Sequence, residues 1–388
     1  MKQNILKIII GILMIISLTG CGGGGGGNQQ LPVINFSASP TLIMTGKSAT
    51  LQWSVTGADK VESPDFTVSG PSGQVTVNPT STKKYTILAT NSAGTITSSV
   101  TIVVVEQGKI AFVSSRSGQD QLYLMNADGT NVQLISTAGS GVQQPALSPD
   151  GTKIAYVSSV NGNADIFIVN ADNSGTAQSV TTNAADDMQP CWSRDGSMLA
   201  WTREANSTYS YDTIIIKPVN GGTEQELVTD AHNPCWSPTT DQLAYSSLHP
   251  GTETIYLISS SGGASTQVAF LAQQSLTIDK LSWSKLGKIA FSSYDSSQST
   301  IKGTIYTVDA SANSTPVSII TNNFDNSGPA WSPSGNQLVF YTNRDGHYQI
   351  YISNADGSNQ TRLLNSNSDD GVPVWSNSLR LRRLNLKK

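Results

Sequence analysis

Six aspartates recur at one phase of a repeating pattern. Asp186, Asp187, Asp230, Asp325, Asp369 and Asp370 each stand a few residues ahead of a proline that opens an apolar stretch. Gathered at one mouth of a ring, such carboxylates would attract a cation, a Lys- or Arg-bearing peptide or a basic partner loop. As a pair they would have the chemistry of a glycosidase acid and base. Asp187, Asp230 and Asp370 could supply that pair, but no surrounding motif specifies it. Aspartate also serves turns by itself, through side-chain bonds to the backbone. The three histidines are His232, His249 and His347, and only His232 shares the phase of the aspartates. A metal centre needs convergent ligands, and this set does not suggest one. No Gly-x-Ser-x-Gly nucleophile elbow occurs. The chemistry expected is recognition, not catalysis, with no metal and no cofactor. A second candidate group is Tyr209 and Tyr211 in the loop 202–212, with Arg344 and Tyr348. Tyrosine and arginine together suit a protein or sugar interface, although the same rings would also pack their own loops.

Short strands must position these residues. Apolar stretches opening at 145, 190, 234, 281, 329 and 373 lie 45, 44, 47, 48 and 44 residues apart. Each is followed by a run such as Ile154-Ala-Tyr-Val157 or Leu338-Val-Phe-Tyr341, then by one such as Ile166-Phe-Ile168 or Ile350-Tyr-Ile352. β-Branched and aromatic residues bounded by Gly, Asn, Asp and Ser fit strands. A period of this length built from short strands predicts a β-propeller, and six copies predict six blades. The first unit begins at Lys109-Ile-Ala-Phe112 without an opening strand, so Pro373-Val-Trp-Ser376 is expected to supply it and close the ring. One slot of the opening strand holds Ala146, Cys191, Cys235, Ser282, Ala330 and Val374 in turn; the next holds Leu147 and then five tryptophans. The cysteines therefore read as free thiols in a small-residue core slot, too far apart to bridge. The tryptophans read as core.

Trp331-Ser-Pro-Ser-Gly335, Leu338-Val-Phe340, Ile350-Tyr-Ile352 and Asn354-Ala-Asp-Gly357 resemble the repeats of the TolB-type (WD-like) propeller family over residues 109–378. The resemblance implies a platform that binds proteins of the cell envelope through one face and the channel. The TolB protein itself has a different N-terminal domain and no lipid anchor, so its particular partners do not carry over.

Residues 31–105 have another period. Strand patterns such as Ala49-Thr-Leu-Gln-Trp-Ser-Val55 and Lys84-Tyr-Thr-Ile-Leu-Ala89 resemble bacterial immunoglobulin-like modules, with Trp53 as core aromatic and Tyr85 as a corner tyrosine. The fold class expected is all-β: an immunoglobulin-like β-sandwich followed by a six-bladed β-propeller. Residues 1–20 have the basic start and short apolar run of an export signal. Leu18-Thr-Gly-Cys21 resembles a bacterial lipobox, which implies lipidation at Cys21, and 22–30 form a Gly-rich tether. By the same resemblance, Gly22 in place of Asp favours the outer membrane. A formal charge of −4 gives no electrostatic case for nucleic acid, and the basic tail 379–388 reads as a solvated terminus. The expected partners are the membrane, through the lipid, and an envelope protein at the propeller face. A glycan is the alternative.

Overall fold

A computed structural model describes residues 30–135, 137, 139, 141–206, 211–248, 251–271, 276–298 and 302–376. The lipidation call at Cys21, the tether, Tyr209, His249 and the basic tail lie outside the described residues. No helix occurs among those that are described.

The chain divides into two compact units. The first holds the described residues up to Ser37 with Gln52–Gln74 and Tyr85–Ser99. The second holds Ala38–Leu51, Val75–Lys84 and the chain from Val100 onward. The strands before residue 106 form two sheets. One has the order Val33–Ser39, Ala49–Thr56, Ser72–Val77. The other has Leu42–Met44, Gly94–Val105, Lys83–Asn91, Lys60–Glu62. In the first unit Trp53 and Tyr85 are buried, and the Phe66 ring lies 5.4 Å from that of Trp53 and 6.5 Å from that of Tyr85. The Trp53 indole N–H donates to the Gly70 carbonyl at 3.0 Å, which satisfies the polar edge of a buried ring.

The second unit contains six antiparallel four-stranded sheets, the blades. From the centre outward, blade 1 is Asp370–Ser376, Lys109–Ser114, Gln121–Asn126 and Gln133–Leu134. Blades 2 to 6 follow in chain order, with inner strands Gln143–Leu147, Asp187–Trp192, His232–Trp236, Leu276–Trp283 and Asn326–Trp331. Blade 1 thus takes its inner strand from the far end of the chain, pairing Trp375 with Ile110 and Val374 with Ala111. The ring closes on itself, and the edge of Lys109–Ser114 is covered.

Both faces of each blade pack against neighbours, so the second and third strands are continuous apolar runs. Aromatic residues directly opposed on these strands stack in five blades: Phe112 on Tyr123, Tyr156 on Phe167, Tyr245 on Tyr256, Phe291 on Tyr306 and Phe340 on Tyr351. Such cross-strand pairs fix the register. Each seam between blades has its own core. The last seam joins Ile350, Ile352 and Val339 of blade 6 to Phe112, Tyr123 and Met125 of blade 1.

Candidate binding channel

Each inner strand carries a β-bulge at the same place, between residues 143 and 146, 188 and 191, 232 and 235, 279 and 281, 327 and 330, and 371 and 374. The bulged residues Gln144, Gln189, Asn233, Lys280, Gly328 and Val372 all have left-handed backbone, with φ of 47°, 57°, 55°, 28°, 60° and 50°. In five of the six, the residue after the bulge is proline, which has no N–H for the ladder to miss. A bulge also strips its own residue of a ladder partner, and neighbouring blades replace it. The Gln144 side-chain oxygen accepts the Gln189 N–H at 2.8 Å, and the Gln189 side-chain oxygen accepts the Asn233 N–H at 2.8 Å. The Asn233 amide donates to the Ile278 carbonyl at 3.1 Å, and the Gly328 N–H donates to Ser292 Oγ at 3.2 Å. These inter-blade bonds hold the bulge ring in one shape.

Lys280 interrupts the pattern. Its ammonium crosses to the Pro373 carbonyl on the inner strand of blade 1, 2.9 Å away. It lines the channel and is half-buried there. Burial lowers its pKa to about 8, although the Asp279 carboxylate and the two channel thiols pull the other way. Asp279 is itself raised, first by burial, with the Lys280 charge opposing. Burial also raises the Tyr341 phenol, helped by the Asp279 and Asp325 charges. The Tyr341 ring covers Gly328 so closely that a Cβ there would stand 2.7 Å from it.

One slot further along, the Cys191 sulfur accepts the Trp236 N–H at 3.1 Å, and Ser282 Oγ accepts the Trp331 N–H at 3.1 Å. The indole N–H groups of Trp192 and Trp331 donate to the Ala146 and Ser282 carbonyls of the preceding blade. The tryptophans, expected as core, all line the channel, with Trp192, Trp236 and Trp331 buried and Trp283 and Trp375 half-buried. Between the bulge ring and the Ser-Pro turns lies a cavity of about 680 Å³ bounded by all six inner strands. Gln144, Gln189, Asn233, Asp279, Lys280 and Tyr341 give it its polar character, and Arg194 and Lys285 stand at the turn end. Neutral amides and one Lys–Asp pair can hold a polar segment by hydrogen bonds; nothing in the set forms a nucleophile with its base.

The family model for the TolB beta propeller domain matches residues 105–287. Over those residues the propeller is of the TolB type. Among solved structures, TolB from Acinetobacter baumannii superposes with a TM-score of 0.59 at 20% identity, over 69% of this chain and 66% of that one, just under two thirds. The protein described as a TolB of Agrobacterium tumefaciens gives 0.53 at 17% identity over 68% and 91%. A chain of the nidogen/laminin complex gives 0.53 at 8% identity over 70% and 98%. At these identities the likeness is one of fold.

None of the aspartates expected at the mouth of this TolB-type channel lines its cavity. Asp187 is fully buried, bound by Arg203 at 2.8 and 3.1 Å, by the Trp201 indole at 2.9 Å and by Asn183 at 2.6 Å. Asp370 is fully buried and takes the Arg116 guanidinium at 2.7 Å. Asp325 is buried between the Gly303 N–H and the Tyr348 hydroxyl, which donates at 2.8 Å. The idea of these three as free acidic groups is corrected: desolvated carboxylates must be paired, and here they tie the second strand or the loop after it to the start of the inner strand. Asp186 is half-buried and accepts the Ala164 N–H, whereas Asp230 and Asp369 are exposed. His232 bonds the buried Glu253 at 3.2 Å. Tyr211 is exposed. Tyr348 packs edge-on against Tyr341 with centroids 5.4 Å apart.

Arg344, expected at an interface, lies over the Tyr351 and Phe340 rings at 4.6 and 5.6 Å and donates to Asn326 at 3.1 Å. Arg116 does the same over Tyr123 and Phe112, and Arg203 over Trp201. These three arginines form a recurring clamp that the sequence-based account missed. Its signal was present, since Phe112 and Phe340 each precede an arginine by four residues, followed at once by Ser-Gly or Asp-Gly.

Proposed function

We propose that this chain is a non-catalytic, lipid-anchored envelope protein whose TolB-type propeller binds a protein partner at its channel. TolB-like propellers generally bind envelope proteins. The observation that carries this reading is the channel wall itself. Its polar side chains are already fixed by bonds between blades, so a partner segment meets a preorganised surface and little ordering entropy is lost on binding. The lipobox at Cys21 and the Gly-rich tether support attachment to the outer membrane. The strands of residues 31–105 are proposed as an immunoglobulin-like spacer.

The test is capture from envelope extract by the full chain, beside two variants at exposed positions. One carries Arg194→Glu and Lys285→Glu at the turn end of the channel; the other carries Asp230→Ala and Asp369→Ala among the connecting loops. A partner lost only in the first places recognition at the channel. A partner lost only in the second moves it to the acidic loops. Retention of peptidoglycan or polysaccharide in place of any protein would overturn the protein-platform reading in favour of glycan binding.

A further inference from the structure

Cys191 and Cys235 occupy equivalent slots on adjacent inner strands, and both line the channel. Cys191 is partly exposed at the wall, and Cys235 is buried. The thiols are unbridged but not remote: Cys191 packs against the core cluster that holds Cys235, closer than the spacing of separate blades suggests. The 3.1 Å contact from the Trp236 N–H to Cys191 Sγ gives an independent measure. That N–H belongs to the residue after Cys235, which brings Cys191 Sγ within about 5.5 Å of the Cys235 Cα by standard peptide dimensions. The surroundings favour a charged sulfur on one side only. The Cys235 thiol, foremost, then the Trp236 N–H and the Lys280 charge lower the Cys191 pKa against its burial. Cys235, whose thiol donates to the Trp236 carbonyl at 3.8 Å, is raised by the neighbouring Cys191 and by burial. A thiolate beside a cation and open to a solvent path is the reactive form of cysteine.

We propose that Cys191 and Cys235 form a reactive dithiol in the channel wall, oxidised as a unit by an external small-molecule disulfide. The Cys191 thiolate attacks one sulfur of the external disulfide, forming a mixed disulfide and releasing one thiolate. Cys235 then loses its proton to solvent through the channel, and its sulfur attacks Cys191 Sγ, expelling the second small-molecule thiolate. Two protein thiols become one disulfide, and one external disulfide becomes two thiols. The product ties the inner strand of blade 3 to that of blade 4. It also takes from the Trp236 N–H the sulfur acceptor it now has.

The repeat supplies variants that fold. Ser282 fills the same slot in blade 5 and accepts the Trp331 N–H as Cys191 accepts that of Trp236. Serine is therefore compatible with this position. The experiment uses the full chain with Cys21→Ser, so that these two thiols alone remain. It is incubated folded with glutathione disulfide, quenched with iodoacetamide in denaturant, and weighed intact. The expected product has lost two hydrogens and carries neither alkyl group nor glutathione. With Cys235→Ser added, one stable glutathione adduct should accumulate on Cys191. With Cys191→Ser instead, thiol consumption should slow by about tenfold or more, because the buried, raised thiol is left alone. Two alkylated cysteines in the parent, or two glutathione adducts, would overturn the proposal. So would equal reaction rates for the two serine variants.

Discussion

Lys280 Nζ lies 2.9 Å from the Pro373 carbonyl oxygen, on a strand two blades further round the ring. The blade between them presents Gly328, which has no side chain to stand in the way. The contact therefore spans the channel and joins the inner strand of blade 5 to the strand that closes the ring.

The depressed Lys280 pKa makes this bond pH-sensitive. Burial places the group's pKa at about 8 in the fold, against 10.5 for an ordinary lysine. Between those values the unfolded chain binds more protons, so stability contributed by this group rises with pH. Lys280→Met should flatten that rise, and the difference between the two denaturation curves should change by up to about 3 kcal/mol from pH 8 to 10.5. Parallel curves for the two proteins would refute the assignment.

Asp187 and Arg203 form the most enclosed ion pair among the described residues, with side chains 0% and 4% exposed. Asp187→Ala removes the fully buried carboxylate from a buried guanidinium that also holds Glu224 at 2.9 Å. A loss of about 3–5 kcal/mol is expected, with Asp187→Ala plus Arg203→Met losing less than the sum of the single changes. Urea midpoints of the four proteins measure this. Additive losses would mean that the two residues act independently.

The Ser-x-Asp-Gly turns depend on ionised aspartate. Hydrogen bonds from Ser193 Oγ, and then from the Ser197 N–H and hydroxyl, bring the Asp195 pKa to about 2. Its folded value lies below the unfolded one, so its contribution is present above about pH 4 and is lost as pH falls towards 2. Amide exchange in the turn 193–197 should accelerate across that window, and Asp195→Asn should show the fast rate at neutral pH. In blade 6 the turn has Ser334 in place of the aspartate, and Glu106 supplies the carboxylate, accepting Ser332 Oγ at 2.7 Å and the Ser334 N–H at 3.0 Å. Glu106→Gln should weaken the bonds to Ser332 and Ser334 and accelerate exchange in that turn.

Gly357 has φ of 80°, and a Cβ on it would lie 2.1 Å from the Ile319 carbonyl oxygen of blade 5. Gly129 of blade 1 stands in the same relation to Leu363 of blade 6, at 2.3 Å. Alanine at either site opposes both the backbone conformation and a neighbouring blade, so a loss above about 2 kcal/mol is expected. An unchanged melting temperature for Gly357→Ala would show that the seam yields.

Ending the chain at Val372 removes most of the inner strand of blade 1 and uncovers the edge at Lys109–Ser114. The whole propeller should lose stability together, because each blade is held by two neighbours. Loss confined to blade 1, seen as local amide exchange with the other blades protected, would contradict closure as the organising contact.

By itself, the sequence determined the number of blades, the borrowed inner strand and the aromatic wall, because each depends on which residue types recur at a fixed period. Trp192, Trp236, Trp331 and Trp375 sit one position after the small-residue slot every time, and a repeat must bury the same face in each copy. Only the tertiary structure decided what the polar residues do. Asp187 and Asp370 share the phase and chemistry expected of a charged channel mouth, yet each meets an arginine of its own blade, at the end of the second strand or in the loop after it. Lys280 looks like a solvated cation in the chain, but faces Pro373 from 93 positions away. Whether a charged side chain is free or spent depends on the groups that folding brings within about 4 Å, and periodicity records only the direction in which each side chain leaves its strand.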